Sequence, residues 1–427
     1  MGFWDEFNAP SEEDWGEKIK KDLKINSLER IFWNSEIGPI NPILSTNNFN
    51  TVKTSNDISI NASFNLANKN VNKQILYALK CGVNSLTFSG VPKKESLKGI
   101  MHEIIQNHII ISNSMVDNEL PEWESWIKSH KEPLSGSLRY DPIQTLVNSG
   151  QWSDSEDKDL SIWTGFYNQK NEGKLKCIYI DGLIYANSCA NPIEELSFIC
   201  SHLNEYLNRV SLKETKHKII IRLGTGNSYF TEIAKIRALR ILVDSITNHH
   251  NMEADLVVEV LTKTSIDSPT HKELNLLRAT TSYMSAYIGG ANIISIDPST
   301  VFLQDESKSI RLLTNIPILL KEEAHINKVN DPSSGAHVIE QLTSLIINTS
   351  WDIFKTIETK GGWINYLKTN LAQESCKENS KKLIQQLLKK EKIIIGFNKY
   401  NLKENEIKSY ELNSSNSFQP LNLNNLI

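Results

Sequence analysis

The sequence has few cysteines and no long apolar run, and both absences narrow the class of protein. Its five cysteines are spread over 427 residues, and no Cys-x-x-Cys pair occurs. An odd, scattered set is typical of buried free thiols in a reducing compartment, and it argues against a disulfide-built scaffold. No stretch approaches the roughly 18 consecutive apolar residues that a membrane-spanning helix needs.

Signals for secretion, lipidation and nucleic-acid binding are also missing. The first residues, Met-Gly-Phe-Trp-Asp-Glu-Phe, have no cationic or apolar signal region, and Glu6 stands where myristoylation of Gly2 would need Ser or Thr. The formal net charge is −4, and the Lys and Arg residues are dispersed. No basic face is therefore predicted. We expect a cytoplasmic protein that binds neither nucleic acid nor a membrane.

Common catalytic and metal-binding patterns are absent as well. Ten histidines occur without a His-x-x-x-His or His-Glu-x-x-His pattern, and no Gly-x-Ser-x-Gly elbow is present. His325, which follows Glu322-Glu323, is the best acid/base candidate, but it is predicted near a helix end, where a surface role is favoured. The glycine-rich turn at 223–227 is either a tight turn or an anion site.

What the chain does contain is an alternation of short apolar runs and helical stretches. Near-continuous apolar runs are typical of parallel strands that are buried on both faces. Repeated strand–helix units favour a (β/α)8 TIM barrel, an α/β fold, over a doubly wound sheet. The candidate strands are residues 85–88, 109–112, 137–140, 177–180, 218–223, 256–261, 292–296 and, far from the others, 393–395.

Two helices can be predicted from capping and spacing. Asn191-Pro192-Ile193-Glu194 combines an N-cap Asn, a Pro at the first helical position and a Glu three residues after the cap. A second apolar stripe runs from Tyr229 to Ile246 at intervals of three and four. Further helices are predicted at about 305–327, 338–360 and 379–391, as a C-terminal extension of the barrel.

The two ends of the chain differ from this pattern. Residues 1–50 are predicted to form an arm with a helix from Glu13 to Leu28, and its aromatic residues suit either the chain's own barrel or a partner subunit. Residues 51–400 hold the predicted barrel. Residues 401–427 are polar and rich in Asn and Ser, and we expect a loosely packed tail. The aromatic residues of the arm are Phe3, Trp4, Phe7, Trp15, Phe32 and Trp33.

A set of short strings in one order resembles the barrel domain of the methylmalonyl-CoA mutase family. Arg278 to Gly290 and Asp331 to Gly335 are the most characteristic, and the whole set covers roughly residues 12–400. The resemblance ends where the family's cobalamin domain would begin. The other strings are residues 15–24, 136–142, 181–182, 190–196, 229–238, 291–298, 322–325, 339–343 and 351–362.

The resemblance also implies that the catalytic residues are replaced. Catalytic chains of the family carry a Tyr-His pair after the Gly of the fourth strand, where the Tyr steers radical chemistry and the His hydrogen-bonds the acyl carbonyl. Matching Ala190 puts Leu183 and Ile184 at those positions, and neither can donate to a thioester carbonyl. Tyr185 would be the family Tyr only in a shifted register, and Ala186 would still not be the His.

No cofactor or metal is therefore expected on this chain. The cobalt-ligating Asp-x-His-x-x-Gly is absent, and the Tyr/Arg-rich loop that grips coenzyme A is not recognisable near residues 150–165. The resemblance implies the small, or beta, subunit of a heterodimer, in which a large (alpha) subunit binds adenosylcobalamin and interconverts methylmalonyl-CoA and succinyl-CoA. Two alternatives stay open: a catalytic acyl-CoA mutase barrel that uses cobalamin from a separate protein, and a non-catalytic acyl-CoA-binding module.

Overall fold

The computed structural model contains a parallel barrel that is preceded by an arm and followed by helices. Among the described residues, none of the helices is long and apolar enough to cross a membrane. The structure describes residues 11–41, 52, 57–68, 70–90, 99–104, 110–115, 123, 125, 135–168, 175–210, 216–268, 271–301, 306–400 and 417–421.

The strands are β1 (Trp33–Ser35), β2 (Gly38–Ile40), β3 (Ser59–Asn65), β4 (Ser85–Ser89), β5 (Ile110–Met115), β6 (Ser135–Tyr140), β7 (Ile178–Asp181), β8 (Lys216–Thr225), β9 (Glu253–Thr262) and β10 (Ile293–Ile296). The α-helices are α1 (Glu12–Leu23), α2 (Val71–Lys80), α3 (Pro142–Ser149), α4 (Glu156–Asn168), α5 (Leu183–Asn187), α6 (Pro192–Leu207), α7 (Tyr229–His249), α8 (Lys272–Gly289), α9 (Glu306–Glu322), α10 (His337–Thr359), α11 (Gly362–Lys368) and α12 (Leu371–Leu388).

Strands β3 to β10 form one parallel eight-stranded sheet. Each strand pairs with its neighbour in sequence except β6 and β7, and β10 pairs with β3. The remaining gap is bridged where Leu138 meets Lys176 and the Leu138 amide donates to the Leu175 carbonyl at 2.7 Å. The sheet therefore closes on itself, and the predicted TIM-barrel fold is confirmed.

The strand prediction was right for seven barrel strands and wrong for the eighth. Ile393-Ile394-Ile395 follows α12 and forms no strand; Ile395 makes only an isolated bridge to Lys399. The missing strand is β3, whose sequence Ser-Ile-Asn-Ala-Ser-Phe-Asn alternates polar and apolar residues. Such alternation marks a strand with a polar face, and here that face lines the barrel interior.

The helices pack their apolar stripes on the outside of the barrel. Asn191 caps α6 through its side chain, and Glu194 completes the predicted capping box. The predicted stripe of α7 is buried from Ile233 to Ile246. The predicted helix at 379–391 instead runs from 371 to 388, and a separate short helix, α11, precedes it.

The arm forms a helix and a hairpin. Helix α1 ends at Leu23, because Lys24 adopts a left-handed conformation, so the predicted helix to Leu28 is too long. The hairpin of β1 and β2 packs on α10, with the Gln341 amide donating to the Asn41 carbonyl at 2.6 Å. Phe3, Trp4 and Phe7 lie outside the described residues.

Candidate functional site in the barrel interior

Side chains that alternate along the strands divide the apolar residues into an outer and an inner set. Ile178 and Ile180 of β7 belong to the large core beneath the helices. Their neighbours Cys177 and Tyr179 belong to a separate cluster inside the barrel. Because successive strand residues point to opposite faces, this inner cluster lies on the barrel axis. Ile220 of β8 and Val257 of β9 complete it.

An ion-pair network fills the axis next to this cluster. Glu259 on β9 forms an ion pair with Arg139 on β6, and the distance between Arg139 Nη1 and Glu259 Oε2 is 2.7 Å. Arg222 on β8 donates through Nε to Glu259 Oε1 at 3.0 Å and pairs through Nη1 with Asp181 Oδ2 at 3.1 Å. The side chains of Arg139 and Glu259 are fully buried. Two cations thus face two carboxylates across the interior.

Neutral hydrogen bonds extend the network to the opposite wall. The Ser295 hydroxyl donates to Glu259 Oε1 at 2.6 Å, and Asn61 Nδ2 donates to that hydroxyl oxygen at 2.9 Å. The hydroxyls of Ser85 and Thr87 both donate to Asn61 Oδ1. Side chains from β3, β4 and β6 to β10 therefore meet on the axis, and we call this network the plug.

The electrostatics of the plug follow from burial and pairing. Burial alone would raise the pKa of Glu259, but the two guanidinium groups outweigh it and lower that pKa to about 2. Burial raises the pKa of Asp181, and Arg222 opposes that shift without cancelling it. Tyr179 lies between the cations, with Arg139 5.0 Å and Arg222 5.8 Å from its ring centroid. Burial raises the pKa of Tyr179, so its phenol stays neutral.

The positions of the expected Tyr-His pair lie at the carboxyl edge of the barrel. Leu183 and Ile184 begin α5 directly after Gly182, and both are half-buried. Tyr185 points away from the axis: its hydroxyl bonds His202 Nδ1 at 3.0 Å, and its ring packs edge-on against Trp363. Tyr185 is therefore packed in the core.

Other candidates from the sequence have structural roles. His325 is exposed in the loop after α9, with φ 54°, and does not lie on the helix as predicted. The Gly226 amide in the glycine-rich turn donates to Glu232 Oε1 at 2.8 Å. That internal carboxylate occupies the place that an anion would take. Within the described residues, no three His, Cys, Asp or Glu side chains are grouped to hold a metal ion.

Two buried charged clusters outside the barrel were not found from the sequence. In the first, Lys235 of α7 lies 2.8 Å from Glu195 Oε2 and 2.7 Å from Glu232 Oε2. In the second, Arg237 pairs with Asp331 and lies 2.8 Å from Glu340 Oε1. The sequence signal that could have indicated them is the presence of the charged residues Lys235 and Arg237 within the apolar stripe of α7.

The fold and the interior together define a (β/α)8 barrel whose axis is closed by its own side chains. The family model described as methylmalonyl-CoA mutase matches residues 126–423, and the chain therefore belongs to that family. The sequence resemblance is thereby confirmed.

The relatives include chains named as small subunits. The methylmalonyl-CoA mutase small subunit of Porphyromonas gingivalis is 26% identical over 92% of this chain and 70% of its own length. The small subunit of Propionibacterium freudenreichii is 29% identical over 54% of this chain and 37% of its own length. The methylmalonyl-CoA mutase of Rhizobium meliloti is 25% identical over 73% of this chain and 46% of its own length. This chain thus spans less than half the length of the last two relatives.

Solved structures are similar only at a low level. Dihydropteroate synthase from Thermus thermophilus aligns with 62% of this chain and 94% of its own, at 11% identity and a TM-score of 0.34. A likeness at this score adds nothing to the functional argument.

Proposed function

We propose that this chain is the non-catalytic small subunit of an adenosylcobalamin-dependent methylmalonyl-CoA mutase. In this proposal a large subunit interconverts methylmalonyl-CoA and succinyl-CoA by radical rearrangement, and this chain supports it as a heterodimer. The observation that carries the proposal is the position of Leu183 and Ile184: both begin α5 at the carboxyl edge of the barrel, where the resemblance expects the Tyr-His pair, and neither can donate to a thioester carbonyl. Barrel enzymes bind substrate where the strand ends open toward the loops, and here Arg222 and Asp181 occupy the axis at that end.

The energetics of the plug favour a structural role. Removing one partner of a buried ion pair costs about 3–5 kcal/mol, because the other charge is left without compensation. A ligand on the axis would have to separate Arg139 from Glu259, and both side chains are fully buried. Small substrates rarely supply such an excess of binding energy after their own ordering costs. This reasoning disfavours both alternatives, a catalytic barrel and an acyl-CoA-binding module, in any form that places the ligand on the barrel axis.

The cofactor is proposed to lie on the large subunit. Adenosylcobalamin supplies the radical chemistry of such a mutase, and a cobalt-ligating imidazole needs a free ring nitrogen. His202 lies in the core and uses both ring nitrogens in internal hydrogen bonds, Nδ1 with the Tyr185 hydroxyl at 3.0 Å and Nε2 with Asp141 Oδ1 at 3.2 Å, so it does not fit a cobalt ligand.

We propose that α1 contacts the large subunit. Trp15, Ile19 and Leu23 recur every four residues along one side of α1, yet Trp15 is 50% and Leu23 56% exposed. Gly16 is the only buried residue of this helix. The hairpin that follows is docked on α10, so the helix is presented from a fixed base. Exposed aromatic and leucine side chains at helical spacing suit a protein interface.

Turnover and co-elution together test this function. We would measure mutase turnover with adenosylcobalamin and methylmalonyl-CoA for this chain alone, for its cognate large subunit alone and for the mixture. We expect this chain to be inactive alone and to co-elute with the large subunit in the active mixture. Turnover by this chain alone would overturn the proposal, and so would a mixture that fails to co-elute.

A matched pair of variants tests the α1 surface. Trp15→Ser with Leu23→Ser removes the proposed contact, and we expect weaker co-elution and a lower yield of active heterodimer. Leu277→Ser removes a comparably exposed leucine from α8 and serves as the control. Equal binding of both variants would exclude α1 as the contact surface.

A further inference from the structure

The C-terminal segment 417–421 is anchored to the barrel at two points. Phe418 and Leu421 are buried, whereas Gln419 and Pro420 between them are exposed. Phe418 belongs to the large core of the chain, and Leu421 belongs to a second cluster behind α12. The sequence predicted a loosely packed tail here, and that prediction does not hold for these five residues. One short segment instead joins two separate apolar clusters.

The backbone of this segment satisfies the ends of two helices. The last four carbonyls of an α-helix have no partner within the helix. The Phe418 amide donates to the Val147 carbonyl near the end of α3 at 3.2 Å. The Leu421 amide donates to the carbonyl of Asn187, the last residue of α5, at 2.9 Å. The segment thus caps α3 and α5 at the same time.

The side chain of Phe418 fills an aromatic pocket beside α5. Its ring centroid lies 5.2 Å from that of Tyr185 and 6.4 Å from that of Phe198, both edge-on. Tyr185 in turn bonds His202, whose Nε2 lies 3.2 Å from Asp141, the N-cap residue of α3. The pocket therefore joins the beginning of α3 to α5, and the ring of Phe418 closes it.

These contacts lie at the carboxyl edge of the barrel. Helix α3 follows β6, and α5 follows β7. Asn187 also accepts a hydrogen bond through its side chain from the Thr264 amide, which follows β9, at 3.1 Å. The anchors of the segment thus connect the connections that follow β6, β7 and β9. These lie at the carboxyl edge, where barrel enzymes carry their active sites.

We propose that residues 417–421 act as a strap that holds α5 closed against the barrel. Pro420 fixes its own backbone and biases Gln419 toward an extended conformation. This keeps Phe418 and Leu421 apart at the spacing of their two pockets. Helix α5 has only five residues, and so short a helix is not stable without tertiary contacts. The strap supports this helix at two points: the ring of Phe418 packs against Tyr185 of α5, and the Leu421 amide donates to the last carbonyl of α5. This inference stands on the contacts alone and is independent of the mutase assignment.

Hydrogen exchange in the full-length chain tests the strap. The Ser188 amide bonds the Ile184 carbonyl, and the Ala190 amide bonds the Tyr185 carbonyl, so both report on α5. Phe418→Ala is expected to speed their exchange by on the order of tenfold or more, while the buried amides of α7 keep their rates. Gln419→Ala alters an exposed residue of the same segment and is expected to change neither set.

Two outcomes would overturn the strap. Unchanged exchange at Ser188 and Ala190 in Phe418→Ala would show that α5 is held without it. An equal acceleration in α5 and α7 would show that Phe418 is an ordinary core residue whose loss loosens the whole chain. If Phe418→Ala does not fold, Phe418→Leu retains an apolar side chain in the pocket, and the same local pattern is expected with a smaller factor.

Discussion

The charges inside the barrel and the charges between its helices are both largely buried, but they differ in the elements they join. Between the helices, Lys235 and Arg237 each pair with two carboxylates and tie α7 to its neighbours. Inside the barrel, Glu259 pairs with Arg139 and Arg222, and Arg222 with Asp181, so the network joins four strands. The strings at 229–238, 331–335 and 339–343 that led to the family contain Arg237 and its two partners, Asp331 and Glu340. The strings that carry the family resemblance therefore hold α7 to its neighbours, whereas the interior network joins the strands of the barrel.

The loss of the buried ion pairs of Arg237 is expected to have the largest effect on stability. Arg237→Leu leaves Asp331 and Glu340 without their cation in a buried site, so we expect a loss of about 3–5 kcal/mol in the free energy of unfolding. Urea denaturation measures it. Arg311→Leu makes the same change at an exposed position of α9. A similar loss in both variants would mean that the buried pair has no special weight.

The interior is expected to give a pH-dependent effect. The pKa of Glu259 is about 2 in the fold and about 4.3 in an unfolded chain. Because the pKa is lowered on folding, the stabilisation is present above the unfolded pKa and is lost as pH falls toward the folded one. Glu259→Gln should therefore flatten the stability profile between pH 4.5 and 2, by up to about 3 kcal/mol.

Urea denaturation at several pH values between 2 and 7 checks this expectation. The wild-type chain should lose more stability than Glu259→Gln on acidification. Parallel profiles would mean that the carboxylate is not held by Arg139 and Arg222.

A double substitution sharpens the comparison of paired with unpaired charge. Arg139→Met with Glu259→Leu replaces the fully buried pair by apolar groups, and we expect it to cost less than the sum of the single changes by about 1–3 kcal/mol. A double-mutant cycle measures the difference. Strict additivity would contradict direct coupling across the axis.

An exposed ion pair calibrates the scale. Lys158 pairs with Asp154 one turn away on the surface, where both side chains are more than half exposed. Solvent screens such pairs, so Lys158→Ala should leave the free energy of unfolding unchanged. A clear loss would show that surface and buried pairs are not as distinct in this chain as proposed.

Most of the fold could be predicted from the sequence because most of the barrel strands are short, nearly continuous apolar runs. Ile219 to Ile221 in β8 is the plainest case. Strand β3 was missed because its alternating polar residues, such as Asn61, are typical of loops. In the structure Asn61 faces the barrel interior. Arg222 and Glu259 were visible inside apolar runs, but their meeting depends on strand register. A shift of one residue would have turned both to the other face.

The tail and the pockets behind α12 depend on contacts far apart in the chain. Phe418 meets Tyr185 more than two hundred positions away, and nothing local to residues 417–421 reveals that pocket. Loop-closing contacts of this kind are set by the finished fold. Composition alone therefore described these residues wrongly.

The plugged axis also constrains how this chain can change over evolutionary time. Arg139, Glu259, Arg222 and Asp181 sit on four different strands, and each is compensated by another. A single substitution toward an open channel leaves a stranded charge, and the intermediate would be purged before a second change could rescue it. Several coordinated replacements would be needed at once. The interior charges of this barrel can therefore be exchanged in matched pairs far more readily than one at a time.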